Sequence, residues 1–136
     1  MADTLKLEIV TAEGPVYSQD VELVTLPGLA GQFGVYAEHV PLMTQMEPGE
    51  IIVCKAGKET FFACGGGLIE VTANRVAILT DLAVQADKID EAKAEEARQR
   101  AEARLREKLS DEELAAVNAS LARSLAQLRV KRRRRG

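Results

Sequence analysis

Glycine and proline disappear from this chain halfway along. All four prolines and nine of the ten glycines lie within residues 1–67, and neither type occurs from residue 68 to 135. These residues punctuate a backbone, because proline fixes φ and lacks a donor while glycine accepts turns that other residues resist. Charge divides the chain as well. Residues 1–87 carry 4 basic and 12 acidic side chains, a net of −8, whereas residues 88–136 carry 14 and 9, a net of +5. The boundary falls near Asp87, so the expected organisation is a turn-rich unit, 1–87, and an uninterrupted second unit, 88–136.

The first unit reads as strands. Leu5, Leu7 and Ile9 alternate with Lys6 and Glu8, the period-two pattern of a half-buried strand. Val21, Leu23 and Thr25 follow, with a stop at Pro27-Gly28. IIVCK and TFFAC flank an Ala56-Gly57-Lys58 turn, and LIEV and RVAIL flank Thr72-Ala73-Asn74, each a hairpin. Short strands at this spacing suggest a β-sandwich or barrel. Its acidic residues fall on alternate strand positions or turns, as on a solvated face. In the first hairpin Cys54 is expected opposite roughly Thr60, which leaves Cys54 and Cys64 out of register for a disulfide.

The second unit reads as two helices. Asp87 can cap the first, with a body running KIDEAKAEEARQRAEARLREKL. Ser110-Asp111-Glu112-Glu113 is a capping box that starts the second. Leu114, Val117, Leu121, Leu125 and Leu128 then repeat at helical spacing as one stripe. With Ser110 as the joint the helices should fold back as an antiparallel hairpin, making the chain α+β: an N-terminal β-sandwich, then a C-terminal antiparallel helical hairpin. Large apolar side chains are few in the hairpin and alanine fills the rest of its seam, which suits an element that can open or undock.

Candidate chemistry is sparse. His39 is the only histidine and has no recognisable nucleophile partner, so it reads as a hydrogen-bonded loop or interface residue. Gly65-Gly66-Gly67 lacks the Lys-Ser/Thr of a phosphate loop and reads as a bulge or a close backbone approach. Two cysteines and one histidine cannot make a four-ligand zinc site. No catalytic residue, metal site or resident cofactor is therefore expected. The N-terminus has no basic start or apolar core of a secretory signal, and no apolar run is long enough to span a bilayer. What stands out is the end, VKRRRRG. Its cations could meet nucleic acid, a membrane surface or an acidic protein, or simply keep a frayed terminus soluble. The net −8 of the first unit and the scarcity of aromatic residues weigh against nucleic acid, which stays as the alternative reading.

Three stretches taken together, LPGLAGQFGVYAEHVPLMTQMEPGEI, GGGLIEVTANRVAILTDLA and KIDEAKAEEARQRAEARL, resemble the epsilon subunit of bacterial F-type ATP synthases, the equivalent of mitochondrial delta. The resemblance covers nearly the whole chain in order, including LAQLRV near the end. It implies a non-catalytic central-stalk rotor subunit that couples proton flow to ATP synthesis. The β-sandwich would bind the gamma subunit and stand on the membrane c-ring, peripheral to the cytoplasmic face of the bacterial plasma membrane. Gly31, Gln32, Phe33 and Gly34 match the loop that faces the c-ring, and His39 and Thr44 match positions near gamma.

The resemblance also implies a regulatory hairpin. Extended, its second helix runs beside gamma into the head of alpha and beta subunits and blocks rotation in the hydrolysis direction. About 25 helical residues reach roughly 37 Å, enough to change partners entirely. Arg129, Lys131, Arg132, Arg133, Arg134 and Arg135 would then be a cationic tip suited to an acidic loop of beta. Some members bind ATP on the folded hairpin through an I/L-D-x-x-R-A pattern with further arginines. Ile89, Asp90 and Ala94 match it, Arg100 and Arg123 match downstream arginines, and Lys93 replaces the first arginine. A point charge there instead of a planar bidentate donor argues against tight binding, and leaves either a weak site for regulatory ATP or an ordinary charge network on the helix surface.

Overall fold

A computed structural model describes residues 3–134 of the chain. Ten strands come first: β1 (Leu5–Thr11), β2 (Gly14–Val21), β3 (Leu23–Gly28), β4 (Gly31–Val35), β5 (Leu42–Met46), β6 (Gly49–Lys55), β7 (Lys58–Cys64), β8 (Gly67–Val71), β9 (Arg75–Thr80) and β10 (Ala83–Gln85). A 3-10 turn at Ala86–Lys88 leads into α1 (Glu91–Arg104), and α2 (Asp111–Arg133) follows. The chain is thus an N-terminal β-sandwich followed by two packed C-terminal helices.

The strands form one nearly closed sheet in the order β10-β7-β6-β3-β5-β8-β9-β1-β2, with β4 paired to β3. A single pair, Gly28 opposite Met46, connects β3 to β5 and so joins the two halves of that path. Between them lies a dry core that includes Leu5, Leu7, Ile9, Val24, Leu26, Ile51, Phe62, Ile69 and Ile78. The alternation read in β1 is present, with Leu5, Leu7 and Ile9 inside. The pattern read through Val21, Leu23 and Thr25 is not. Val21 ends β2 facing inward, the chain bends at Glu22, and β3 then buries Val24 and Leu26 instead. A bend at one residue shifts the phase of everything after it, because the side-chain period is two.

The β6–β7 turn is tighter than the sequence suggested. Ala56 and Gly57 both take positive φ, the two-residue hairpin geometry that matches strand twist. Lys55 pairs with Lys58, so Cys54 faces Glu59 rather than Thr60, and both cysteines are free. In the triple-glycine run, a side chain at Gly67 would strike the Leu79 carbonyl, and one at Gly65 would strike the Asp81 carboxylate. These positions do mark a close backbone approach.

The first helix starts later and stops sooner than expected. Ile89 is extended and buried beside Ala63, Ala86 and Val130, so helical geometry cannot run through it from Asp87. Asp90 is the cap instead, its carboxylate accepting from the Lys93 amide at 3.1 Å. Helix α1 ends at Arg104, leaving residues 105–110 as a longer joint than Ser110 alone. The capping box at that joint is complete: the Ser110 side chain accepts from the Glu113 amide, and the Glu113 carboxylate accepts from the Ser110 amide. Hydrogen bonds from Ser110 hold the Glu113 carboxyl below its ordinary value.

Candidate functional site

The geometry that bears on function lies where α2 meets the sheet. Strand alternation sends Ile51 and Val53 of β6 into the core, so Glu50 points to the outer face beside its cross-strand partner Ala63. Helix α2 covers that face. Val130 packs with Ala63, Ala86 and Ile89, flanked by Phe61 and Val84. The leucine stripe is only partly inside: Val117 and Leu128 are buried, whereas Leu114 and Leu125 stay exposed. Two partners divide the helix surface, so one unbroken stripe does not describe it. The arginine at 123 and the residues at 126, 130, 133 and 134 meet the sheet, while Arg132 meets α1.

The terminal cations are helical and engaged. Helix α2 runs to Arg133, so the end is not frayed within the described residues. Arg134 donates Nε and Nη2 to the two oxygens of Glu50 at 2.9 and 2.8 Å, a bidentate pair, and its guanidinium lies 3.8 Å over the Phe61 ring. Arg133 donates Nη1 to the same carboxylate at 3.1 Å. Those hydrogen bonds push the Arg134 guanidinium above its ordinary value. Lys131 donates to the Ala86 carbonyl at 3.2 Å, and Arg132 pairs with Glu91 at 2.9 Å. Arg129 is exposed beside a cavity of about 180 Å³ that Gln32, Glu50 and Arg133 also line. Arg135 lies outside the described residues. Glu50 itself is only 4% exposed, an exception to the solvated face expected of the acidic side chains.

The other sequence-marked residues fall in two further places. Gly31, Gln32, Phe33 and Gly34 form strand β4 rather than a loop, at the tip of a hairpin with β3. Gly31, at φ +115°, makes the turn, and the Phe33 ring lies against Gly28, where no side chain would fit. Thr44 of β5 lines the same shallow depression as Gly31, Gln32 and Phe33. His39 stands in the preceding loop and donates Nδ1 to the Val40 carbonyl at 2.7 Å. Nearby, Val40, Met43, Leu68 and Leu79 are exposed apolar side chains, with Leu68 directly opposite Leu79 on adjacent strands.

The six residues of the nucleotide pattern are not gathered at one point. Ile89 is packed, Asp90 caps α1, and Ala94 is buried. Arg123 donates to Asp81 of the sandwich at 3.0 Å. Arg100 lines the groove between the helices, and Lys93 is exposed on α1.

Comparison with known proteins decides the family. Residues 4–86 match the model described as ATP synthase, Delta/Epsilon chain, beta-sandwich domain, and residues 87–132 match its long alpha-helix domain. The chain belongs to the ATP synthase delta/epsilon family. It is 44% identical over 131 residues to an ATP synthase epsilon chain of Herpetosiphon aurantiacus, covering 96% of each chain. It is 47% identical over 126 residues to that of Chloroflexus aggregans, covering 93% of this chain and 91% of the other. A chain in the Euglena gracilis mitochondrial ATP synthase structure shares the fold, with a TM-score of 0.71 at 24% identity over 88% of this chain and 76% of that one. As a delta/epsilon chain this is a non-catalytic subunit of ATP synthase.

Reasoning on the sequence missed the partners that the delta/epsilon hairpin finds on its own sandwich: Glu50, Phe61 and Asp81. Their signal was the charge asymmetry itself. A body at −8 and an arm at +5 attract one another before either meets a third party.

Proposed function

We propose that this chain is the rotor subunit of an F-type ATP synthase central stalk, and that its second unit restrains ATP hydrolysis. In this reading residues 1–87 form the contact unit and residues 88–136 the regulatory one. The exposed apolar side chains Val40, Met43, Leu68 and Leu79, with His39 and Thr44 beside them, suit a permanent interface with the gamma subunit. The β3–β4 hairpin tip at Gly31, Gln32, Phe33 and Gly34 is offered to the c-ring. The subunit then sits at the cytoplasmic face of a bacterial plasma membrane through its complex. Among the described residues no helix is long and apolar enough to cross a bilayer.

The observation that carries the regulatory half is the attachment of α2. Its first ten residues are exposed apart from Val117 and Ser120, and its named contacts with the sandwich run from Arg123 to its end, which is cationic. A helix held toward one end by ion pairs and one small apolar cluster around Val130 suits two alternative dockings separated by a small free energy. Opened, it would carry its cationic tip to the alpha and beta subunits. Closed, the hairpin leaves a regulatory ATP only Lys93 and Arg100 as exposed cations of the six-residue set. Weak binding, lost in Arg100→Ala, is the outcome that an equilibrium titration should return.

The deciding experiment removes residues 129–136 from the chain in the reconstituted enzyme. Hydrolysis of ATP should rise while synthesis coupling and assembly persist. Unchanged hydrolysis with normal assembly would refute the inhibitory role.

A further inference from the structure

One carboxylate on the sandwich holds two of the guanidiniums at the tip of α2. Glu50 lies on the outer face of β6, buried where the end of α2 lies over it. Both of its oxygens are used, Oε1 by Arg133 and by Nη2 of Arg134, and Oε2 by Nε of Arg134. Phe61 supplies an aromatic floor under Arg134. The remaining tip contacts are weaker in kind. Lys131 makes a single bond to a carbonyl, and Arg132 forms an exposed pair with Glu91 of the same hairpin, which need not break when the hairpin leaves the sheet.

While Glu50 holds Arg133 and Arg134 against the sandwich, the tip is not free to reach a carboxylate on another subunit. Release of the tip therefore requires that Glu50 let go of it. We propose that Glu50 is an internal decoy for the cationic tip: it sequesters Arg133 and Arg134 in the closed hairpin and so sets how often that tip is free. The consequence for hydrolysis rests on the inhibitory reading given above; the clamp itself does not.

The clamp is tested on the full chain by native-state hydrogen exchange of Glu50→Gln, of Arg133→Gln with Arg134→Gln, and of all three changes together. Glu50→Gln should speed exchange of amides in residues 122–132 at least tenfold, while strands β8 and β9 exchange as before, showing an intact sandwich. The paired arginine changes should do the same, and the triple variant should add nothing further, because both act on one interaction. Exchange within twofold of the parent in Glu50→Gln, or additive effects in the triple variant, would overturn the proposal. A second arm places Glu50→Gln in the reconstituted enzyme, where hydrolysis should fall and return on deletion of residues 129–136. Faster exchange with unchanged hydrolysis upholds the clamp and overturns the inhibitory reading.

Discussion

Replacing Val130 by alanine should loosen the hairpin without loosening the sandwich. Val130 is 2% exposed and sits in a small cluster with Ala63, Ala86 and Ile89, separate from the main core. The truncation removes two buried methyl groups, worth about 0.8 kcal/mol each in transfer terms. The space left is bounded by the strands of the sheet and cannot fully collapse, which raises the cost to about 2 kcal/mol. If the hairpin opens as its own unit, that cost appears in its local opening equilibrium as roughly a 30-fold rise. Native-state hydrogen exchange resolves the two parts by residue. Amides of α1 and of residues 122–130 should exchange about 30-fold faster, whereas those of β1, β8 and β9 should keep their parental rates. Equal acceleration of strands and helices would show that the hairpin comes apart only with the whole fold. No acceleration anywhere would show that this cluster does not hold the helix.

Three further outcomes follow from features already described. Burial pushes the Cys64 thiol up to about 12, so at neutral pH a thiol reagent should modify half-buried Cys54 well ahead of Cys64; equal rates by mass spectrometry would contradict the packing. Gly67→Ala would press a methyl group into the Leu79 carbonyl of the paired strand and should cost about 3 kcal/mol, read as a clear drop in melting temperature. The Glu113 carboxyl is held below its ordinary 4.5 by hydrogen bonds from Ser110, so its contribution is complete above that value and is lost as pH falls through the depressed one. Amides at the start of α2 should lose protection over that acid window in the parent, but not in Glu113→Gln.

Much of this architecture could be read from local patterns. Period-two alternation located β1, and the LIEV and RVAIL runs located β8 and β9. The reciprocal Ser110 and Glu113 caps located the start of α2, because that signal is complete within four residues. Where the reading failed, the cause lay at a distance. Nothing near Asp87 announces that Ile89 will be drawn into a pocket of Ala63 and Val130, which delays the helix to Glu91, with Asp90 as its cap. No glycine or proline marks the end of α1 at Arg104; the chain turns there so that α2 can run back. Bends are equally quiet, and the one at Glu22 inverted the inner face of β3. Above all, Arg133 and Glu50 lie 83 positions apart, so no window on the chain could pair them.

The two ends of the hairpin are joined in an unusual place. Lys131, near the tip of α2, bonds the carbonyl of Ala86, which belongs to the 3-10 turn where the hairpin leaves the sandwich. The arm is therefore fastened at its root, and its bend, the joint at residues 105–110, stands free at the far end. Helix α2 spans about 34 Å at the usual rise. A tilt of roughly ten degrees about that root would sweep the bend through about 6 Å, on the same rise. In mechanical terms the clasp works on a short lever and the bend on a long one. Whatever touches the bend from outside holds the advantage over every contact that keeps the arm down.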